Sequence, residues 1–161
     1  MIRPTVPADT PTLLVLARET GVFKPMEIQA LQEVLDDYHE ANQVEGHVCV
    51  TCEEEGEIIG FAYYAPASMT VQSWYLYWIA VHKGTQARGV GSQLMSYLES
   101  DIRRRQPGAI LFIETSSMPH YELTRKFYVK HGYEVNGQLR DYYADGDDMV
   151  VFRKRLSGAP M

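Results

Sequence analysis

The stretch from Val71 to Arg105 constrains this chain more than any other. It reads VQSWYLYWIAV, then HKGTQARG, then VGSQLMSYLESDIRRR. The first part is a long aromatic and apolar run, which predicts a buried strand. In the last part Val90, Leu94, Leu98 and Ile102 recur every four residues, so they form one apolar stripe along a helix. A glycine-rich loop joins the two. Such a strand–loop–helix unit, followed by the apolar strand AILFIET, belongs at the centre of a mixed α/β layer.

The loop is a candidate anion site. A helix start leaves backbone N–H groups unpaired and carries the positive end of the helix dipole. Gly89 and Gly91 let a ligand approach the backbone closely. Phosphate and pyrophosphate suit this arrangement. The common nucleotide motifs do not fit. Gly84 and Gly89 have the spacing of a phosphate-binding P-loop, but Val90 stands where its lysine should be. Gly89-Val90-Gly91 is followed by Leu94 where a dinucleotide fingerprint needs a third glycine. A turn that merely requires glycine is the plain alternative.

The remaining elements follow from local signals. IRPTV is a short first strand. Asp9 or Thr10 is the expected N-cap of a helix with Pro11 at its start. A second helix covers PMEIQALQEVLDDYHEA, with Ile28, Leu31 and Leu35 on one face. HVCVTCEEE and EIIGFAYYAP form a hairpin, and YEVNGQLRDYY with MVVFRKRL a second one. Between them YELTRKFYVKHG is a short helix closed by Gly132. The order β-α-α-β-β-β-α-β-α-β-β describes an α/β (α+β) fold, with a largely antiparallel sheet of about seven strands and four helices. The length of 161 residues, 45% of them hydrophobic, fits a single domain spanning 1–161.

Charge and cysteine usage exclude several classes. A net charge of −6 argues against nucleic acid as a partner. No segment is long and apolar enough to predict a membrane span, and the expected compartment is cytoplasmic. Cys49 and Cys52 form a C-x-x-C, but on a strand their odd separation points them to opposite faces. With no second pair, neither a metal nor a redox site is expected.

Gln86-Ala87-Arg88-Gly89-Val90-Gly91 resembles the Q/R-x-x-G-x-G/A signature of the GNAT superfamily of acyl-CoA-dependent N-acyltransferases. YWIAVHKGTQARGVGSQLM resembles its central strand and loop, and TRKFYVKHGYEV resembles its FY-x-x-x-GF element. The order of elements is also that of the family, so the resemblance covers almost the whole chain. It implies acetyl-CoA as co-substrate, with no metal. Its pyrophosphate would lie on Gln86, Ala87, Arg88, Gly89, Val90, Gly91 and Ser92. The backbone of Ile79, Ala80 and Val81 would pair with the pantetheine arm, and Tyr121, Thr124 and Phe127 would complete the cofactor contacts.

Acetyl transfer to an amine needs a base, an oxyanion donor and an acid for the leaving thiolate. Freeing the lone pair of an alkyl ammonium with a pKa of about 10.4 costs roughly 4–5 kcal/mol at pH 7, so a base or a proton route to water is useful. Glu114 resembles the carboxylate that serves as base in the protein N-terminal acetylating branch; a solvated strand end is the other explanation. Tyr128 matches the tyrosine of the FY element and is the candidate acid, while a backbone N–H near Ile79 is the candidate oxyanion donor. Tyr121, Thr124 and Tyr128 share one helix face; Leu123 and Phe127 share another, expected to be the core side.

The acceptor site of such proteins lies between the first two helices and the last hairpin. Here those segments carry Asp36, Asp37 and Glu40, and Asp141, Tyr142, Tyr143, Asp145, Asp147 and Asp148. Carboxylates concentrate cations, so Asp141, Tyr142 and Asp148 are candidate contacts for a cationic amine such as a polyamine, an amino sugar or a peptide amine. A solvated hairpin turn has the same composition. Two rival functions stay open: an acyl-CoA sensor without turnover, and binding of another phosphate ligand. A homodimer is also possible.

Overall fold

The structure is a computed structural model that describes residues 1–157, without the side chains of Gln86 and Ala87. Its elements run β1 (Ile2–Pro4), α1 (Thr10–Glu19), α2 (Pro25–Asp37), β2 (Val48–Glu54), β3 (Glu57–Pro66), β4 (Ser73–Val81), α3 (Val90–Arg105), β5 (Ile110–Ser116), α4 (Glu122–Lys130), β6 (Glu134–Ala144) and β7 (Asp147–Arg155). This is the order expected from the sequence. The seven strands hydrogen-bond in the order β1-β2-β3-β4-β5-β7-β6. The sheet is mostly antiparallel; the pairing of β4 with β5 is parallel, because α3 crosses over between them. No described helix is long and apolar enough to cross a membrane.

The chain divides into two compact units. One comprises Met1–Pro66 with Trp78–Ser100; the other begins with Ala67–Tyr77 and resumes at Asp101. β4 and α3 each contribute to both.

In the first unit, α1 and α2 bury Leu13, Leu16, Ala17, Ile28, Leu31 and Leu35 against Cys49, Phe61, Tyr63 and Ala80 of the strands. Each of the leucines and the isoleucine among them contributes about 1.5–3 kcal/mol. Cys49 and Cys52 are both buried and free. Burial pushes the Cys49 thiol up to about 12, so it stays protonated and packs as a small apolar group. The β2–β3 turn places Glu55 and Gly56 at positive φ of 54° and 81°, the geometry of a type I′ hairpin.

Asp9 is the N-cap residue of α1, yet its carboxylate makes no capping bond to that helix. It accepts the Val6 amide at 2.8 Å and a forked pair from Arg3 at 2.8 and 3.0 Å. Arg3 in turn reaches Glu53 at 2.7 Å. The predicted cap therefore ties β1 to β2 through an arginine instead.

In the second unit, β7 lies between β5 and β6, with Ile113 opposite Phe152 and Glu114 opposite Val151. The predicted core side of α4 is wrong. Leu123 is 81% exposed and Phe127 only half-buried, whereas Tyr128 is 4% exposed. The reason is tertiary: the rings of Phe152 and Tyr133 lie 5.5 and 6.2 Å from that of Tyr128 and form an aromatic seat for it.

Candidate active site

The first unit carries the loop. After β4, residues Lys83–Arg88 make a 3-10 turn whose N-cap is His82, with its Nδ1 accepting the Gly84 amide at 3.1 Å. Gly89 then takes φ 77°, and a Cβ built there would meet nothing within 4 Å. That conformation disfavours any residue with a side chain, although the Cβ position itself is free. The helical ladder of α3 begins with the Gln93 amide donating to the Gly89 carbonyl at 3.0 Å. The preceding amides of its first turn have no acceptor in that ladder. Val90 is buried, Gly91 and Ser92 are half-buried, and Arg88 is exposed and loosely bound to Glu54 at 3.5 Å. The backbone of Gln86 and Ala87 continues the 3-10 turn; their side chains lie outside the described residues.

A close approach fixes this helix end. A Cβ on Gly60 of β3 would stand 3.0 Å from Leu94 Cδ1, 3.2 Å from the Ala80 carbonyl oxygen and 3.3 Å from Val90 Cγ1. Glycine at 60 thus lets the start of α3 sit directly on β3 and β4. Of the predicted strand residues, Ala80 is buried while Ile79 and Val81 are half-buried.

The second unit carries the titratable groups. Tyr75 pairs in register with Phe112, so alternation puts Tyr75, Tyr77, Phe112 and Glu114 on one face. The Tyr75 ring lies 5.5 Å from Tyr77 and 6.0 Å from Phe112. Glu114 is exposed at its strand position, and among the described residues it forms no ion pair. Desolvation by its neighbours raises its pKa, and a hydrogen bond from the Tyr75 hydroxyl partly offsets that. Tyr75 and Tyr77 are themselves pushed upward, first by desolvation and then by neighbouring negative charge. The two tyrosines escaped the sequence reading; their period of two with Ile79 along β4 was the available signal.

Tyr128 keeps its ring in the core. Burial, then the nearby Tyr121 hydroxyl, raise its pKa, so it is protonated at any physiological pH. Tyr121 is not on the helix but caps its start, at the end of the turn Pro119–Tyr121; Thr124 is half-buried. Arg125 clamps this segment by donating to the Ser116 and Met118 carbonyls at 2.7 and 3.0 Å.

The acidic hairpin is largely engaged in its own architecture. Asp147 is buried and accepts the Ser116 hydroxyl at 2.5 Å. Asp148 accepts the Asp141 amide at 2.8 Å and the Gln138 side chain at 2.7 Å, and these bonds hold its carboxyl below the ordinary range. Asp141, at φ 57°, accepts the Gly146 amide at 2.8 Å. Tyr142 and Tyr143 stand exposed, with rings 5.1 Å apart at 90°.

Comparison with known proteins bears on this arrangement. Residues 45–135 match the family model described as an acetyltransferase (GNAT) domain. A solved structure from Desulfovibrio desulfuricans, a proposed acetyltransferase of the GNAT family, is 30% identical. It superimposes with a TM-score of 0.92 over 98% of this chain and 99% of its own. An aminoglycoside 6′-N-acetyltransferase solved with coenzyme A is 18% identical, with a TM-score of 0.76 over 100% and 99% of the two chains. The ribosomal-protein-S18-alanine N-acetyltransferase of Escherichia coli is also 18% identical, at 0.77 over 99% and 96%. At such identities these two likenesses speak for the fold alone. No curated protein sequence matches the chain.

Proposed function

The chain belongs to the GNAT acetyltransferase family, and on that premise we propose that it transfers an acetyl group from acetyl-CoA to a primary amine by direct attack, as a single domain. The observation that carries this is Gly89, left-handed at φ 77° directly before α3, with nothing within 4 Å of where its Cβ would stand. Backbone amides there suit a pyrophosphate, and Arg88 adds a cation at the same loop. Gln86, Ala87, Val90, Gly91 and Ser92 complete this cradle, and Ile79 to Val81 offer strand backbone to the pantetheine arm. Acetyl-CoA supplies the acetyl group as an activated thioester.

The chain's own residues handle the protons. Glu114 takes one from the acceptor ammonium, and its raised pKa makes it a better base than an ordinary carboxylate. The freed nitrogen lone pair forms the new N–C bond as the C–S bond breaks. Tyr128 donates to the departing sulfur, and its elevated pKa keeps that proton in place until then. The acylated nitrogen then loses its second proton, which restores Tyr128 by way of solvent, and Glu114 releases the first; of the two protons that leave the ammonium, one ends on the thiol and one in water. Tyr121 before α4 and Thr124 and Phe127 within it are the further coenzyme contacts of this reading, and Asp141, Tyr142 and Asp148 are its acceptor contacts.

Thermal unfolding tests the coenzyme half of this proposal. Acetyl-CoA at about 100 times its dissociation constant adds about 2.7 kcal/mol, a rise of roughly 5–10 °C for a chain of this size. ATP and NAD should add nothing. Equal shifts with ATP would return the loop to the class of general phosphate sites. A shift without thiol release across many amines would favour a sensor.

A further inference from the structure

We infer that His82 is a positioning residue for the coenzyme: its imidazole fixes the start of the turn Lys83–Arg88 and, through it, the backbone amides that meet the pyrophosphate. The inference rests on the acetyl-CoA reading of this loop and adds a residue that lies outside the stretch Gln86-Ala87-Arg88-Gly89-Val90-Gly91.

Amides that must be ordered when a ligand arrives bind it more weakly than amides already held in place. The turn is suspended between two anchors. At its far end Val90 is buried, 3.3 Å from where a Cβ on Gly60 would stand. The last residue of the turn, Arg88, adds only an exposed contact to Glu54 at 3.5 Å, of the kind that contributes little. The near anchor is His82, and three of its polar groups are engaged within the same unit. Its amide donates to the Ile59 carbonyl of β3 at 2.7 Å. Its carbonyl accepts the amide and the hydroxyl of Thr85, each at 2.9 Å, and Thr85 is buried. Its Nδ1 accepts the Gly84 amide at 3.1 Å.

The last bond is the one that the side chain decides. Asn and Asp bind the amide two residues on in the same way, through an oxygen that is attached to Cγ as Nδ1 is here. A neutral imidazole accepts at Nδ1 with its proton on Nε2, so the bond also selects the tautomer. Glycine at 84 is the counterpart of the ring. A Cβ there would stand 3.3 Å from both Nδ1 and Cε1 of His82. The ring is exposed, so it would yield to that Cβ and leave the amide it caps. Histidine at 82 and glycine at 84 thus act as one device, and its effect falls on coenzyme binding, since Glu114 and Tyr128 lie on β5 and α4.

The test is calorimetric titration with acetyl-CoA and steady-state kinetics on the full chain, for the wild type and its variants. Loss of one cap bond corresponds to about a three- to tenfold change in affinity. His82→Leu should therefore raise the coenzyme Kd and KM by that factor with kcat unchanged. His82→Asn keeps an acceptor on Cγ and should restore the affinity. Gly84→Ala should weaken coenzyme binding to a similar degree, and the double variant with His82→Leu should lose no more than His82→Leu alone. Unchanged coenzyme affinity in His82→Leu, an asparagine variant as weak as the leucine one, or additive losses in the double variant would overturn the inference. A fall in kcat at unchanged KM would overturn it too. Tight acetyl-CoA binding by the wild type beside unaffected variants sinks only the role of His82. Failure of the wild type to bind acetyl-CoA sinks the acetyl-transfer proposal itself.

Discussion

Replacing Gly60 with alanine adds one methyl group where three atoms already crowd. Leu94 Cδ1 at 3.0 Å belongs to a side chain with no exposed surface, and the Ala80 oxygen at 3.2 Å is backbone of β4. Neither can swing away, so α3 must lift from the sheet by a few tenths of an ångström. Overpacking of this kind costs about 1–3 kcal/mol. For a chain of this length a loss of about 2 kcal/mol lowers the melting temperature by roughly 4–8 °C. The displacement acts on Val90, directly after Gly89, and on the β4 backbone at Ala80, so acetyl-CoA affinity should fall as well. Differential scanning calorimetry and coenzyme titration of Gly60→Ala measure both. An unchanged melting temperature with unchanged coenzyme affinity would refute the claim that this close approach sets the loop.

Other perturbations separate the remaining roles. Glu114→Gln should lower kcat/KM for the amine by about 10²–10⁴ while leaving coenzyme affinity intact; an equal loss of coenzyme binding would point to a structural role. In the wild type, the base must be ionised and its pKa is raised, so activity should climb with pH through a midpoint above the ordinary 4.5. A pH–rate profile locates that limb, which Glu114→Gln should abolish. Tyr128→Phe keeps the ring in its seat, so the melting temperature should barely move while kcat falls by at least about tenfold; full activity would remove the hydroxyl from the chemistry. Asp9→Asn should cost about 2 kcal/mol at neutral pH, the scale of a charged hydrogen bond. Because Arg3 holds the Asp9 carboxyl below its ordinary 3.8, that stability is complete above the ordinary value. It is lost as pH falls through the lower folded value. Acid titration of unfolding should therefore be shallower in the variant.

What could be read from the sequence was what depends on neighbours along the chain. The stripe Val90, Leu94, Leu98, Ile102 is buried as its spacing requires, and the paired strand segments of both hairpins stand where the sequence puts them. The 3-10 turns at Pro7–Asp9 and Pro119–Tyr121 and the π-helical turn at Tyr38–Asn42 carry no such periodicity. Contacts across strands were also hidden. The core side of α4 is decided by Phe152 and Tyr133, which lie outside the helix, so helical spacing alone favoured Leu123. Tyr75 and Glu114 meet only because β4 and β5 pair in parallel at one register, a choice that propensity does not encode. Asp9 read as a cap, and Asp147 as part of an acidic acceptor patch or of a solvated turn; their partners Arg3 and Ser116 made them structural.

Incubation of the purified chain with acetyl-CoA bearing a trideuterated acetyl group and a panel of alkyl amines, followed by mass spectrometry, tests the proposed chemistry most directly. Acetyl transfer predicts amide products heavier by the labelled acetyl group, formed with stoichiometric thiol release and strongly reduced by Glu114→Gln and by Tyr128→Phe. Tight coenzyme binding with no labelled product from any amine would contradict it.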